Sequence, residues 1–238
     1  MAATRLPGKP LLKINNLSII SHVFKRAEEA NIGEVVVATE DQEVLEDILK
    51  NGGKAVLTHS DHKTGTDRIF EAYKKLDIKN VDYILNLQGD EPDINKDDII
   101  NLNNFMINQD AELGTLAAKI KDNKMLNNRN VVKVITDKRL VENNFPTALN
   151  FTRDNLSIDS KNIYHHIGIY SYKTNVLEKL VSLDQTDNEK INKLEQLRAL
   201  DNKLKINVAL AKSSPIGVDT EEDYLAIKKI MEYKINNE

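Results

Sequence analysis

The chain has 238 residues, of which 40% are hydrophobic and 29% charged. That balance excludes disorder as the default reading and is enough for one large α/β domain or a domain with a smaller lobe. The net charge is −4 with both signs interspersed, which excludes a general nucleic-acid binder; a phosphate-bearing substrate needs only a local cluster of Lys and Arg.

There is no cysteine. Disulfides, thiolate metal sites and cysteine nucleophiles are therefore ruled out, which agrees with a reducing compartment. No apolar run approaches the roughly 20 residues of a membrane span, and no signal peptide is visible, so no membrane partner is expected.

In chain order, the predicted elements begin with a helix carrying Ile19, Ile20, Val23, Phe24 and Ala27 on one face. A buried strand follows at residues 35–39. The next helix places Val44, Leu45, Ile48 and Leu49 together and stops at Gly52-Gly53. Residues 54–58 read as a strand, 67–76 as a short helix and 83–88 as a strand with turn chemistry at Gly89-Asp90. Such alternation predicts a mainly parallel, covered sheet. Beyond about residue 110 the pattern changes to strands at 113–120, 131–136, 148–152 and 163–172. Helices are then expected around 176–183, 191–200 and 221–233. No Pro/Gly-rich linker marks the change, so two lobes on one continuous core are expected.

Four segments carry candidate chemistry. In Arg5-Leu6-Pro7-Gly8-Lys9-Pro10, two cations flank a glycine whose bare backbone can approach an anion, and the prolines stiffen the loop. The alternative is a solvated basic turn. Asp61-His62-Lys63-Thr64-Gly65-Thr66-Asp67-Arg68 joins a strand to a helix and offers hydroxyls and N–H groups to a base or ribose; taken alone, plain capping by Thr64 or Thr66 explains it better. In Asn86-Leu87-Gln88-Gly89-Asp90-Glu91-Pro92 a strand ends in an acidic turn, where ligands of open α/β sheets bind and a carboxylate can hold Mg²⁺. In Gly217-Val218-Asp219-Thr220, Asp219 or Thr220 caps the last helix, with Glu222 or Asp223 reaching back, and Asp219 paired with Asp90 becomes a second metal ligand. Further on, His166 and Tyr170 share a strand face, while His165 points the opposite way. Glu195-Gln196-Leu197-Arg198 lies on a helix whose apolar members are Ile191, Leu194, Leu197 and Leu200. No Ser/His/Asp nucleophile arrangement stands out.

These segments, together with Leu194-Glu195-Gln196-Leu197-Arg198 and His166-Ile167-Gly168-Ile169-Tyr170, occur in an order that resembles the CMP-Kdo synthetase (3-deoxy-manno-octulosonate cytidylyltransferase) family along essentially the whole chain. The resemblance implies an α/β fold of the nucleotide-diphospho-sugar transferase type. Its sheet would be mixed and mainly parallel, flanked by helices, with residues 1–110 forming mainly the nucleotide-binding lobe. Residues 111–238 would form a smaller lobe for sugar binding and dimerisation, plus the C-terminal metal-ligand segment. It also implies a cytoplasmic homodimer that uses CTP and Kdo for lipopolysaccharide biosynthesis, with no nucleic acid or membrane partner. Carried over by motif, Arg5, Gly8 and Lys9 would hold the triphosphate. Thr64, Gly65 and Thr66 would approach the cytidine, and Gln88 would sit near both substrates. Asp90 and Asp219 would ligate Mg²⁺ and, with Lys9, form the catalytic set. Arg153, His166, Tyr170, Glu195 and Gln196 would line the sugar site.

The sequence departs from the family pattern in three places. An apolar strand and a further Arg are expected before the Arg-Leu-Pro-Gly-Lys-Pro loop and do not precede it in this chain, so weakened stability and impaired CTP turnover are expected. Thr64 stands where Ser is frequent, keeping a hydroxyl, and His165 replaces a frequent Arg. The alternatives are a catalytically impaired nucleotide-binding relative or a cytidylyltransferase for another acidic sugar.

Overall fold

The computed structural model describes residues 6–156 and 161–235, which group into two compact units. The first takes the described residues up to Ile78, then Leu87–Ile99 and those from Pro215 onward. The second takes Lys79–Asn86 and Ile100–Ser214.

The first unit starts with a 3₁₀ turn, Lys9–Leu11, and a two-strand ribbon of β1 (Lys13–Ile14) and β2 (Leu17–Ser18). Helix α1 (Ile19–Ala30) follows, capped by the Ser18 hydroxyl, which accepts from the Ser21 N–H. Strand β3 (Val37–Thr39), helix α2 (Gln42–Lys50) and strand β4 (Ala55–Leu57) form a β–α–β unit in which β3 and β4 pair in parallel. Ser18 and Ser21 both donate to Asp47 on α2, at 2.5 and 2.8 Å, tying the two helices together. Helix α2 ends at Asn51, and the chain then enters the left-handed region at Gly52. A Cβ on Gly53 would lie 2.8 Å from Ile48 and Phe24, so a glycine is required there. Helix α3 (Gly65–Leu76) follows β4. The C-terminal helix, Glu221–Ile235, returns to this unit, and its Ile227 and Met231 join Ile14, Ile19 and Val218 in one buried cluster.

The second unit is built on a six-stranded sheet. Its elements are β5 (Tyr83–Asn86), the greater part of α4 (Lys96–Asn108), β6 (Leu113–Lys119), α5 (Asn123–Asn127), β7 (Lys133–Thr136), β8 (Ala148–Thr152), β9 (Ile163–Lys173), α6 (Thr174–Ser182), α7 (Asp187–Asn192), α8 (Gln196–Asp201) and β10 (Ile206–Leu210). The strand order is β10-β6-β9-β7-β8, with β5 also on β9. The 11-residue β9 is the spine: β6 runs along one edge while β5 and β7 take opposite ends of the other. Gly114 of β6 lies so close to Met106 and Phe145 that a Cβ would meet them at 2.5 and 2.7 Å.

The α/β class and the mixed sheet agree with the sequence reading. The balance of pairing differs from a mainly parallel sheet. Parallel pairs are β3–β4 and β10–β6, whereas every pairing of β9 is antiparallel, as is β7–β8. The strands of residues 113–173 follow one another with few intervening helical residues, and such segments pair antiparallel. The helix expected around 191–200 is two helices. Lys193 adopts φ 53° and ends α7, Ile191 is 80% exposed, and Leu194 and Leu197 are buried. The break allows Arg198 of α8 to grip Glu189 of α7 through two bonds of 2.7 and 2.8 Å. Helix α4 and strand β10 had no counterpart in the sequence reading.

Candidate active site

In the first unit the site begins with conformation. Gly8 sits at φ 68°, ψ 11°, a left-handed turn that starts the 3₁₀ segment. Leu6 and Leu12 pack against the cluster that contains Val218 and the C-terminal helix. One core thus anchors the Gly8-Lys9 loop and the segment bearing Asp219. A backbone bond from Val218 N–H to the Asp90 carbonyl, at 2.9 Å, ties in the acidic turn after residue 86. Gly89 allows that turn to approach Ile20, whose Cδ1 would lie 2.8 Å from an added Cβ.

Three predicted side chains meet as a result. Lys9 Nζ lies 2.8 Å from Asp90 Oδ2 and 3.4 Å from Asp219 Oδ1. The lysine is mostly buried, Asp90 about one-third exposed and Asp219 about half exposed. Asp219 is not the helix cap. Thr220 Oγ1 accepts from Asp223 N–H, and Asp223 Oδ2 accepts from the Thr220 N–H and hydroxyl, so the reciprocal cap leaves the Asp219 carboxylate directed at Lys9. Next to Asp90, burial and then the Asp90 charge push the Glu91 carboxyl up to about 8. Its Oε2 is buried with no hydrogen-bond partner among the described residues. Arg5 lies outside the described residues.

Thr64, Gly65 and Thr66 form the start of α3. Thr64 and Asp67 complete a capping box, so the structural reading of this segment holds. Thr64 and Thr66 are buried and Gly65 is exposed. The preceding loop is pinned by Glu71, which accepts from the His59 N–H at 3.0 and 3.2 Å, from Lys75 at 2.6 Å and from His62. Burial pushes the Glu71 carboxyl up, but Lys75, His62 and His59 outweigh it and hold it at about 2. Arg68 donates to Thr58 at 2.7 Å and pairs with Glu40, joining the ends of β3 and β4. Gln88 is half-buried in the turn after β5.

In the second unit, His166 and Tyr170 share a face of β9, their ring centroids 5.4 Å apart. Strand β9 carries extra residues opposite Thr115/Leu116 of β6, so Thr115 pairs with Tyr170 and Leu116 with Ile167. Thr115 Oγ1 donates to the Ile169 carbonyl at 2.7 Å and therefore accepts from His166 Nε2, 3.1 Å away. Burial, then the charges of His165 and Arg153, lowers His166 to about 3. It is a neutral imidazole whose Nδ1 is a lone-pair acceptor. Burial raises the Tyr170 hydroxyl well above its ordinary range, and its oxygen has no partner among the described residues. His165 faces away and contacts Ser214 through Nδ1 at 2.7 Å. Arg153 is half-buried just beyond β8, and its Nη1 donates to the carbonyls of Arg129 and Asn130 at 3.3 and 3.2 Å. Glu195 is the residue before α8 and Gln196 is buried in its first turn.

Residues outside the sequence-based set also support the site. Thr115 sets the His166 tautomer, Glu71 holds the loop before Thr64, and Asn86, opposite Tyr170, has a buried amide nitrogen without a partner among the described residues. Asn86 was visible as the start of the Asn-Leu-Gln-Gly-Asp motif. Thr115 and Glu71 gave no local signal because their partners are distant in sequence or on another turn.

An α/β fold whose loops gather a lysine and two carboxylates has the charges that a nucleotidyltransferase needs, and that is the class of the proteins it resembles. A family model for cytidylyltransferases matches residues 1–206. The chain is 43% identical over 236 residues to a 3-deoxy-manno-octulosonate cytidylyltransferase of Rhodopseudomonas palustris (strain BisB18), covering 97% of this chain and 94% of the relative. It is 42% identical over 245 residues to the enzyme of that name from Thermodesulfovibrio yellowstonii, covering 96% and 94%. A solved structure of CMP:2-keto-3-deoxy-manno-octonic acid synthetase complexed with CTP superposes with a TM-score of 0.87 at 34% identity, over 97% of this chain and 94% of that one. An apo UDP-glucose pyrophosphorylase shares the fold alone, with a TM-score of 0.71 at 12% identity. The chain belongs to the 3-deoxy-manno-octulosonate cytidylyltransferase family.

Proposed function

We propose that this chain transfers CMP from CTP to 3-deoxy-D-manno-octulosonate, giving CMP-Kdo and pyrophosphate for lipopolysaccharide biosynthesis. The observation that carries the reading is the convergence of Asp90 and Asp219, from remote parts of the sequence, on the Lys9 ammonium group. In this reaction the anomeric hydroxyl of the sugar gives up its proton to solvent as its oxygen bonds to the α-phosphorus, and pyrophosphate departs with the electrons of the broken P–O bond. Such a transfer needs positioning and charge neutralisation more than a covalent nucleophile.

Lys9 supplies a cation for the triphosphate, with the turn at Gly8 bringing backbone close to it. The amides at the start of α3, by Gly65 and Thr66, and the Gln88 side chain take the nucleotide. Arg153 takes the sugar carboxylate, while His166, Tyr170, Glu195 and Gln196 meet its hydroxyls. His166 is suited to this because it is neutral and keeps one acceptor nitrogen.

Asp90 and Asp219 fit Mg²⁺. They are hard oxygen donors, and they already share one cation, so their contacting oxygens lie no farther apart than the two Lys9 distances together allow. When bound, the ion neutralises phosphate charge and makes a ligated hydroxyl more acidic.

A homodimer belongs to this reading. The family resemblance supports it, as does the exposed Leu149 on β8, the last strand in the sheet order. A cytoplasmic location is supported by the use of CTP.

Pyrophosphate release tests the function. Turnover is expected with CTP, Kdo and Mg²⁺ together. Equal or better turnover with a different nucleotide or a different acidic sugar would overturn the assignment.

A further inference from the structure

We propose that Lys133 is a positioning residue for Arg153, holding it at the angle at which it meets the carboxylate of the acidic sugar. This inference rests on the reading that Arg153 contacts that sugar.

Lys133 opens β7 and is paired with Thr152 of β8 on one side and His165 of β9 on the other. Its side chain is fully buried. An apolar side chain would fill such a place at less cost, because a buried ammonium loses its hydration. Among the described residues, its hydrogen-bond acceptors are two main-chain carbonyls, those of Asn128 at 2.8 Å and Arg153 at 3.4 Å. The Arg153 guanidinium in turn donates to the carbonyls of Arg129 and Asn130.

Arg153 is therefore tied to the 128–130 loop twice. Lys133 fixes its main chain through a shared ammonium, and its own side chain fixes the angle of the guanidinium. Without the ammonium, the side-chain bonds remain as the direct tie to the loop, and they compete with any carboxylate that Arg153 binds. Arg129 also pairs with Asp154 at 3.6 Å, so the loop and the residue after Arg153 are linked at the surface as well. Burial lowers the Lys133 pKa, which agrees with an ammonium held by carbonyl dipoles in a desolvated place.

The test compares Lys133→Met, Lys133→Gln, Arg153→Ala and the Lys133→Met/Arg153→Ala pair in steady-state pyrophosphate release, varying Kdo and CTP separately. Loss of the positioning ammonium is expected to raise KM for Kdo by roughly 10-fold while KM for CTP stays within about twofold. The double variant is expected to be no worse than Arg153→Ala alone, because both changes act on one contact. If Arg153→Ala leaves KM for Kdo unchanged, the sugar reading of Arg153 is wrong and the proposal falls with it. If Arg153→Ala raises that KM but neither Lys133 variant does, the proposal alone is overturned. Lys133→Gln keeps one donor and serves if Lys133→Met does not fold. Failure of both to fold assigns the lysine to stability and also overturns the proposal.

Discussion

Val218 donates its backbone N–H to the Asp90 carbonyl at 2.9 Å, and this bond joins the acidic turn after β5 to the segment before the C-terminal helix. Val218 is fully buried in the cluster that also holds Leu6 and Leu12. Packing of a few apolar side chains thus sets Lys9 and Asp219 side by side, and the Val218 bond adds Asp90.

If those three side chains serve the phosphates, neutral isosteres remove charge without removing volume. Asp90→Asn and Asp219→Asn are each expected to lower kcat by about 10²–10³-fold, an effect comparable to losing one preorganised charge partner in other active sites. Far-UV circular dichroism should be unchanged, since the Asp219 main chain, not its carboxylate, joins the Thr220–Asp223 cap.

The left-handed turn at Gly8 sets the approach of the Lys9 loop. Gly8→Ala has open space for its methyl group but not the conformation, since φ is 68°. The cost expected is about 1 kcal/mol, read as a lowered midpoint in urea, together with a raised KM for CTP.

Glu189 and Arg198 form an ion pair in which both side chains are almost fully buried, at 3% and 4% exposure. Burial pushes the Glu189 carboxyl up, but the bonds from Arg198 and Gln185 outweigh it and hold it below its ordinary value. Arg198→Met leaves that carboxylate buried without a countercharge, and is expected to cost about 3–5 kcal/mol in chemical denaturation. The double variant Glu189→Met/Arg198→Met is expected to recover much of the loss.

Two groups shape the acid response in pH windows that start at different values and overlap below 4.5. His166 remains neutral in the fold down to about 3, whereas its ordinary value is 6.5. The unfolded chain therefore binds a proton that the fold refuses, and stability falls as pH drops from 6.5 toward 3. Glu71 is held at about 2 against an ordinary 4.5, so its contribution is complete above 4.5 and is lost as pH falls toward 2. Melting temperatures recorded from pH 7 to 3 should show His166→Gln flattening the upper part of the curve and Glu71→Gln the lower part.

Most of the fold was legible because its signals are local. The apolar stripe of α1, the glycines after α2 and the alternation of β9 are all written in short windows, and the elements appear within a few residues of their expected bounds. The sheet balance was not legible, because the direction of pairing depends on partners far along the chain. The 191–200 helix failed for a related reason. Its apolar spacing is helical, but Lys193 turns the chain so that Arg198 can reach Glu189. Motifs located the candidate residues Lys9, Asp90, Asp219, His166 and Tyr170. Thr115, Glu71 and Lys133 were beyond reach, because each acts through a contact that exists only once the chain is folded.

The central claim, one divalent cation shared by Asp90 and Asp219, is tested most directly by titrating Mn²⁺ into the protein with CTP present and following free Mn²⁺ by electron paramagnetic resonance. Asp90→Asn and Asp219→Asn are each expected to weaken binding at least about tenfold relative to the unaltered chain. Mn²⁺ binding by both variants as tight as that of the unaltered chain would contradict it.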